Sequence, residues 1–403
     1  MKILVLNLGS TSFKFKLFDF SQSETALASG GVESVGSPSG AYRITVNDQC
    51  DQGQCHCPEH GDAMDLCINV LVRNNVIQSI ADVDATGYKA VHGGPISGAR
   101  FVDNELLQVM ESFSLFAPAH NPIYIKTMRS LQEKYPDLKQ VAYFETSFHA
   151  TMPEYRAIYG VPYEWVSDFG IRRYGFHGSS HSYIAWKLQQ LEPSARRIVS
   201  IHLGGSSSLC AIKDGLSIAE SMGATPQSGT FHNNRVGDFD VFCIPDLIKK
   251  HDGDVEQVFR ILANQGGFLG ISGVSNDLRE VSKARSKGNP RADLAVRAFA
   301  DNIVGYIGMF TAYLGGLDSL VFTGGIGQHS TEVRDLVCGE LGWLSVHIDP
   351  EKNLKSGEER IDSTESKVSV WVLETNEELM VARQARRLVT STFPRYNDLV
   401  ITV

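Results

Sequence analysis

One segment near the middle of the chain combines the side chains that bind multiply charged anions. Residues 171–181 read Ile-Arg-Arg-Tyr-Gly-Phe-His-Gly-Ser-Ser-His, with two arginines, two histidines and two serines around two glycines. Cations, imidazole donors and a helix N-terminus all stabilise developing negative charge. The segment therefore predicts an anion site in front of a helix. The alternative is a surface turn whose helix is capped by Ser179 or Ser180.

Glycine-rich turns that carry hydroxyl groups are a second signal for phosphate, because bare backbone N–H groups can approach phosphate oxygens closely. Such turns occur at residues 7–12, 204–208 and 323–327. None has the Gly-Lys-Ser/Thr ending of a P-loop or the spacing of the dinucleotide fingerprint. Each turn alone is as well explained by a hairpin. Together they predict phosphate bound on a scaffold other than the P-loop.

Charged residues complete the set of candidates. Arg235 lies in a polar loop between apolar stretches, where an arginine has little structural purpose. Glu377 has a structural alternative as a helix N-terminal acid favoured by the helix dipole. The candidate cations and acids are Lys14, Lys89, Arg172, Arg173, Arg235, Arg279, Glu145 and Glu377.

Composition excludes several classes of protein. A chain of 403 residues exceeds what one hydrophobic core usually supports, so two domains are expected. The net charge of −9 argues against a nucleic-acid surface or an anionic membrane surface. No run of 18 apolar residues predicts a membrane span, and residues 1–7 predict a buried strand rather than a signal peptide. We expect a cytoplasmic protein.

The seven cysteines fit reduced thiols better than a disulfide framework. Cys50, Cys55, Cys57 and His60 lie close together, but their spacing is not the paired C-x-x-C of structural zinc sites. We interpret them as a polar hairpin loop. Whether this loop binds a metal ion stays open.

The order of elements predicts an α/β fold. Strands at 2–8 and 12–20 surround one glycine-rich turn, and strands at 196–203 and 207–213 surround another, so residues 8–12 and 203–207 form a weak internal repeat. A hairpin follows into a strand at 216–221. Helices are predicted at 61–75, 120–134, 180–191, 244–250, 254–264, 289–314 and 376–389, and further strands at 139–144 and 318–322. We place one domain at 1–150, joined by the tail 386–403, and a second at 151–385. The last helix, from Asn376 to about Val389, is expected to cross back towards the N-terminal domain.

Ordered motifs along nearly the whole chain give it a family resemblance. The motifs occupy residues 7–14, 91–94, 117–122, 148–153, 171–181, 268–273, 322–327 and 375–378. With them the chain resembles the acetate kinases, within the acetate and sugar kinase/Hsp70/actin superfamily. The resemblance implies two duplicated actin-like ATPase (ribonuclease H-like) domains that face one another across an active-site cleft. It also implies a homodimer through the C-terminal domain, with the nucleotide site in that domain.

The activity implied by the resemblance is reversible transfer of a phosphoryl group between ATP and a short carboxylate, giving ADP and an acyl phosphate, with Mg²⁺ or alternatively Mn²⁺. Such transfer depends on positioning and on neutralisation of charge at the moving phosphoryl group. Carried over by resemblance, Asn7 and Glu377 organise the metal, while His177 and Arg235 stabilise the transition state. Lys89 holds the substrate carboxylate and Glu145 is the essential acid. The nucleotide residues are Lys14, His202, Leu203, Gly204, Gly205, Ser206, Asp277, Leu278, Arg279, Gly325, Ile326, Gly327, Gln328 and His329.

Several positions depart from the family pattern. Lys89 stands where the family has arginine, and Glu145 where it has aspartate. Lysine lacks the bidentate fork of arginine, so the exchange at position 89 is not conservative. We hypothesise that the two changes compensate, because the cation at position 89 is shorter and the carboxylate at position 145 is longer by one methylene. On the nucleotide side, Gly205-Ser206 replaces Asn-Gly and Gln328-His329 replaces Glu-Asn. These replacements leave another nucleotide or pyrophosphate open as the phosphoryl donor.

The predicted pocket for the acyl group also departs from the family pattern. Val91, Phe176 and Pro226 keep three of four apolar positions, but Ala119 stands where leucine is usual and Ala224 where phenylalanine is usual. The freed volume predicts that propionate or a larger acid is used at least as well as acetate. Two alternatives stay open. One is a diverged paralogue with another carboxylate or another donor such as pyrophosphate, and the other is a low-turnover protein that binds a nucleotide or an acyl phosphate.

Overall fold

The computed structural model describes residues 1–118, 120–355 and 357–391. These residues form two compact units, one of residues 1–148 with the returning segment from Asn376, the other of residues 149–375. Within the described residues, no helix is long and apolar enough to cross a membrane.

Strands are numbered in chain order. They are β1 (Lys2–Leu8), β2 (Ser12–Asp19), β3 (Thr25–Glu33), β4 (Gly40–Val46), β5 (Gln49–Cys55), β6 (Ala85–Ala90), β7 (Ala99–Phe101), β8 (Lys139–Phe144), β9 (Arg197–Leu203), β10 (Ser207–Lys213), β11 (Leu216–Glu220), β12 (Ser319–Thr323), β13 (Glu359–Arg360) and β14 (Ser369–Val372).

Helices follow the same order. They are α1 (His60–Arg73), α2 (Asn104–Ser112), α3 (Asn121–Lys134), α4 (Glu154–Ala157), α5 (Tyr163–Phe169), α6 (Gly178–Leu191), α7 (Ile244–Lys250), α8 (Val255–Asn264), α9 (Gly267–Ser272), α10 (Leu278–Ser286), α11 (Pro290–Leu314), α12 (Gly324–His329), α13 (Thr331–Gly339), α14 (Pro350–Asn353) and α15 (Glu377–Thr390). Short 3₁₀ turns lie at Ile80–Asp82, Ser147–Thr151, Val241–Cys243 and Gly342–Leu344.

The first unit is built on a mixed sheet in the order β5-β4-β3-β2-β1-β6-β8-β7. β1 pairs antiparallel with β2 and parallel with β6, and β6 pairs parallel with β8. The central strands read as nearly continuous apolar runs because parallel strands are covered on both faces. α1, α2 and α3 contribute apolar side chains to the core cluster of this unit.

The last helix, α15, belongs to the first unit. It packs on β6 and β1, where Gly87 leaves room for it: a Cβ at this position would lie 3.0 Å from Val381 Cγ1. The buried stripe from Leu379 to Leu388 explains why the whole helix stays there. The last helix therefore packs in the first unit, as predicted, although the domain boundary drawn at residue 385 divides it. Of the tail 386–403, residues 392–403 lie outside the described residues.

The second unit repeats the plan with a sheet in the order β11-β10-β9-β12-β14-β13. β9, β12 and β14 are parallel, and β10 and β11 extend the sheet antiparallel. The long helix α11 packs on β10 and β9. Its ends are well defined, since Asn289 accepts hydrogen bonds from two backbone N–H groups and Gly315 closes the helix with φ 72°. The predicted α/β class is confirmed, with two separate sheets.

Two local interpretations are wrong. The cysteine-rich stretch is not a loop: Cys50 and Cys55 lie in β5, which pairs with β4 across a turn at Asn47 and Asp48, both with positive φ. The helix after residue 177 is not capped by a serine: α6 begins at Gly178, and His177 is the N-cap with φ 54°. Ser179 and Ser180 lie inside the helix, where they are fully buried.

We expect Gly324→Ala to destabilise the protein by about 1–3 kcal/mol, the usual cost of a strained backbone position. Gly324 has φ +76°, and a Cβ there would lie 2.6 Å from the carbonyl oxygen of Leu203. Urea unfolding measures the change. The matched control is Gly325→Ala, since no atom lies within 4 Å of a Cβ built at that position. It should shift stability by less than about 1 kcal/mol, and equal losses in both variants would contradict the argument.

Candidate active site

Four of the predicted residues meet at one edge of the first sheet. Asn7 lies near the end of β1, Lys89 near the end of β6, and Glu145 directly follows β8. Because these three strands are parallel, their carboxyl ends share an edge. Glu377 joins them from the first turn of α15.

The ammonium group of Lys89 forms an ion pair with the Glu377 carboxylate. The two side chains are only 15% and 14% exposed. Burial by itself lowers the pKa of Lys89, but the charges of Glu377, Glu145 and Glu378 outweigh it, so the pKa is raised. Lys89 therefore stays a cation, and the carboxylates around it keep that charge in place. The alternative role of Glu377 as an N-terminal helix acid also holds, since it lies in the first turn of α15.

A cleft of about 840 Å³ opens on the first sheet beside this edge. Asn7, Lys14 and Glu378 are among its lining residues. Lys14 lies directly opposite Asn7 in the β1–β2 pair, and its exposed Nζ lies 3.5 Å from Glu33 Oε1. The cleft thus combines an amide, an exposed cation and a carboxylate, which are groups that can bind a phosphate chain and its counterion.

Glu145 and Val91 lie close to the ends of neighbouring strands. Glu145 is buried, and its backbone N–H donates to the carbonyl of Ala90 at 2.8 Å. Val91 directly follows β6 and is half-buried. Ala119, which the sequence analysis placed in the same pocket, lies outside the described residues.

In the second unit, His177 stands at the start of α6 in the left-handed conformation. Its Nδ1 lies 2.8 Å from the Ser208 hydroxyl, and its ring stacks on that of His202 with 4.3 Å between centroids. The left-handed backbone turns the chain so that the imidazole lies beside the second sheet rather than along the helix. His177 and His202, predicted for different roles, are therefore in contact.

Behind His177 lies a set of buried histidines paired with serines. His181 Nε2 lies 2.8 Å from Ser208 Oγ, and His181 Nδ1 lies 2.9 Å from Ser200 Oγ. His149 Nδ1 lies 2.9 Å from Ser217 Oγ. Burial lowers the pKa of His181 well below its usual range and lowers that of His149 to about 4. At neutral pH both imidazoles are neutral, so each carries one N–H.

Arg235 is held by two other predicted residues. Its Nη1 donates to Ser206 Oγ and to the carbonyl of Pro226, each at 3.1 Å. Burial lowers the pKa of Arg235, although a guanidinium remains charged in proteins. Nearby, His232 Nδ1 accepts from the backbone N–H of Ser207 at 2.7 Å, which ties the Arg235 loop to the second glycine-rich turn. The structure thus joins Arg235, Ser206 and Pro226 in one cluster.

The three predicted nucleotide segments are placed differently. His202 lies in β9, and 204–206 form the turn into β10. Residues 325–329 are the helix α12, not a turn, and they follow β12, the parallel neighbour of β9. Asp277 caps α10 by accepting from the Arg279 backbone N–H at 2.9 Å, and the exposed Arg279 side chain pairs with the same carboxylate. The pair 277 and 279 thus has a local structural role.

Sequence reasoning missed the residues that support His177. Ser200, Ser208 and Ser217 are fully buried serines on strands, and each contacts a histidine from another part of the chain. A hydroxyl inside an otherwise apolar strand was the available signal, because such a group needs a hydrogen-bond partner. Its partner lies far away in sequence and could not be read from spacing. Arg172 and Arg173, by contrast, lie over the rings of Tyr174 and Tyr159.

Among the described residues, no group of three or more His, Cys, Asp or Glu side chains could hold a metal ion by itself. This includes the stretch with Cys50, Cys55, Cys57 and His60. The thiol of Cys57 is buried, and burial raises its pKa to about 12.

Two α/β units that each place polar groups at the carboxyl ends of parallel strands define the actin-like ATPase fold. Comparison with known proteins gives the family. A model of the acetokinase family matches residues 2–383. An acetate kinase from Dictyoglomus turgidum is 42% identical over an alignment of 397 residues that covers 96% of this chain and 98% of that protein.

A propionate kinase from Citrobacter rodentium is 39% identical over 398 residues, with 98% of each chain covered. The crystal structure of Porphyromonas gingivalis acetate kinase superposes with a TM-score of 0.88 at 34% identity, covering 96% of this chain and 100% of that one. The chain therefore belongs to the acetokinase family, a family of enzymes.

We expect the buried neutral histidines to make stability fall as the pH falls below about 6.5, the ordinary pKa of histidine. The folded state keeps His149 neutral down to about pH 4, whereas the unfolded chain takes up the proton earlier. Acid therefore favours unfolding by about 1.4 kcal/mol per pH unit for each such group. His149→Gln should lower the slope of unfolding free energy against pH by about that amount between pH 6.5 and 4.

Urea unfolding at pH 5 and pH 7 measures this slope. If wild type and His149→Gln lose the same free energy between the two pH values, the neutral buried state of His149 is refuted.

Proposed function

We propose that this chain transfers the γ-phosphoryl group of ATP to a short-chain carboxylate, reversibly and by direct in-line attack, giving ADP and an acyl phosphate. The observation that carries the proposal is the match to the acetokinase family over residues 2–383. Relatives with about the same identity are named acetate kinase and propionate kinase. This makes the chain a carboxylate kinase.

The chemistry sets what the residues must do. A carboxylate is already ionised at neutral pH, so its attack on phosphorus needs no general base. What opposes the reaction is the approach of two anions and the charge that spreads over three equatorial oxygens. Residues of the site therefore act by holding charge and by fixing positions.

In the second unit, we propose that His177 and Arg235 stabilise the transferred phosphoryl group. Arg235 is anchored by Ser206 and the Pro226 carbonyl, so its guanidinium is fixed before substrate binds. His177 is fixed by the Ser208 hydroxyl and by stacking on His202. Donors that are held in place lower the reorganisation needed in the transition state.

In the first unit, we propose that Lys89 binds the substrate carboxylate and that Glu145 is the essential acidic residue. The effect of Glu145 on the charge of Lys89 supports a direct coupling of the two. In this unit, the acyl group would lie against the apolar side chain of Val91. Because the substrate carboxylate has no proton to lose, Glu145 does not act as a base. It holds the Lys89 ammonium in position.

For the nucleotide, we propose Lys14 together with the segments 202–206, 277–279 and 325–329. The residues fit a divalent cation held jointly with phosphate oxygens, since Asn7 and Glu377 offer an amide and a carboxylate but the described residues offer no complete cage. Mg²⁺, or Mn²⁺ in its place, would supply neutralisation of phosphate charge. Lys89 meanwhile keeps the Glu377 carboxylate in position.

We also propose a cytoplasmic homodimer. Seven free cysteines support a reducing compartment. Large apolar side chains are exposed on α11, among them Leu294, Met309 and Tyr313, and they support a contact between copies of this helix.

The proposal is tested by a matrix of donors against acids. The full chain is incubated with ATP or pyrophosphate, Mg²⁺ and acetate, propionate or butyrate, and hydroxylamine traps any acyl phosphate as hydroxamate. Turnover with ATP is expected. Turnover with pyrophosphate alone would favour the diverged paralogue, and binding without turnover would favour the low-turnover binding protein. Arg235→Ala is the control, with an expected loss of about 10²-fold or more in kcat.

The same matrix tests the acyl pocket. We expect kcat/KM for propionate to equal or exceed that for acetate, because each extra buried CH₂ recovers about 0.8 kcal/mol, or about fourfold. Ala119→Leu should reverse the order by filling the volume. A steady fall of kcat/KM from acetate to butyrate in the wild type would rule out the enlarged pocket.

We expect the exchanges at positions 89 and 145 to compensate. Lys89→Arg and Glu145→Asp should each lower kcat/KM, and the double variant should recover at least about threefold over the worse single variant, a typical coupling between residues of one charged network. Kinetics of the four proteins form a double-mutant cycle. Additive losses would show that the two residues act independently.

A further inference from the structure

Glu220 is a buried acid that the proposed reaction does not use. It ends β11, pairs directly with Cys210 on β10, and is 4% exposed. Neither carboxyl oxygen has a hydrogen bond of standard geometry within the described part of the chain. Burial raises the pKa of Glu220 well above its usual range, although the Ser208 hydroxyl, the Met222 N–H and Arg173 oppose this. A buried carboxyl group whose oxygens lack hydrogen-bond partners is more stable with its proton than as an anion.

The strand register places Glu220 beside the support of His177. Residues directly opposite in an antiparallel pair share a face, and so do residues two apart on one strand. Cys210 is opposite Glu220, and Ser208 is two residues before Cys210, so Ser208 and Glu220 are diagonal neighbours on one face. A Cβ at Gly175, next to Phe176, would lie 3.1 Å from Glu220 Oε2.

Ser208 is the branch point of a hydrogen-bonded chain. Its hydroxyl lies 2.8 Å from both His177 Nδ1 and His181 Nε2. His181 continues the chain to Ser200 through Nδ1. A hydroxyl has one hydrogen to donate and two lone pairs to accept with, and neutral His181 has one N–H. The chain can therefore run in one of two directions.

The direction decides where His177 carries its proton. If Ser200 donates to His181, and His181 Nε2–H donates to Ser208, the Ser208 hydrogen goes to His177 Nδ1. A neutral His177 then keeps its proton on Nε2. In the reverse direction the Ser208 hydrogen points to His181, and Nδ1 of His177 holds the proton. The distances among these groups are the same in both cases.

We propose that Glu220, as the protonated acid, is a positioning residue that donates to Ser208 Oγ and so commits the Ser208 hydrogen to His177 Nδ1. With donors from Glu220 and His181, both lone pairs of Ser208 are used, and its own hydrogen has one acceptor left. His177 is then fixed as the Nε2–H tautomer, a donor suited to a phosphoryl oxygen. This last step rests on the proposed function of His177.

The groups around Glu220 are compatible with a neutral acid. Tyr159, Tyr306 and Cys210 interact with it, and burial raises the pKa of each, so all three are uncharged at neutral pH. His149, beside Gly175, is neutral as well. Glu220 itself lines a cavity of about 440 Å³, together with the charged side chains of Arg156, Arg173, Asp238 and Asp301.

Two substitutions separate a neutral donor from an ionised carboxylate. Glu220→Gln keeps a neutral side chain with N–H donors, so kcat should stay within about threefold of wild type. Glu220→Met removes the donor at similar volume, and kcat should fall about tenfold to a hundredfold, less than the loss of a donor that contacts the oxyanion itself. KM for ATP and for the acid should be unchanged. A Gln variant as impaired as the Met variant, or a fully active Met variant, would overturn the proposal.

Nitrogen NMR of the full chain with ¹⁵N-labelled histidine reads the tautomer without turnover. We expect His177 in the wild type and in Glu220→Gln to be protonated on Nε2 and unprotonated on Nδ1, and Glu220→Met to lose this preference. A wild-type His177 protonated on Nδ1 refutes the role of Glu220, even if Glu220→Met does not fold. If the tautomers follow this pattern but no acid is phosphorylated, the proposed function fails and the positioning role stands.

Discussion

Parallel pairing of three strands in each unit is the constraint on which the sites depend. A parallel strand must be reached by a long crossover, so consecutive strands bring residues far apart in sequence to one edge. In the first unit this edge holds Asn7, Lys89 and Glu145, and in the second it holds His202 and the start of α12. Helices that begin at such an edge add backbone N–H groups and, with α15, the Glu377 carboxylate.

The two edges solve different electrostatic problems. The first holds formal charges, and the Lys89 ammonium is stabilised because acidic groups outweigh the cost of its burial. Removing one partner of such a buried pair leaves an uncompensated charge, which costs several kcal/mol. The second holds imidazoles that contact serine hydroxyls, with Arg235 as its anchored cation. The first edge thus holds an ion pair in place, and the second holds imidazoles in place by hydrogen bonds.

Much of this could be predicted from the sequence, because local patterns are strong where strands are apolar. The sequence predicts β1, β2, β9 and β10 as strands on either side of glycine-rich turns, and α11 from its helical periodicity. β3 to β5 were missed, since Gly30, Gly31 and the polar run of β5 show no apolar alternation. The cap at His177 was missed because a histidine with positive φ leaves no trace in spacing. Ser208 and Glu220 matter only through contacts that the fold creates.

The placement of α15 has a consequence for how the chain is made. The second unit is continuous in sequence, whereas the first needs residues from both sides of it. During synthesis, β1, β6 and β8 leave the ribosome long before the helix that covers Gly87 and supplies Glu377. Until then, the first unit lacks both the apolar side chains of α15 that cover its sheet and the counterion of Lys89. The order of translation therefore sets the order of folding, and the first unit completes its fold only after α15 has been synthesised.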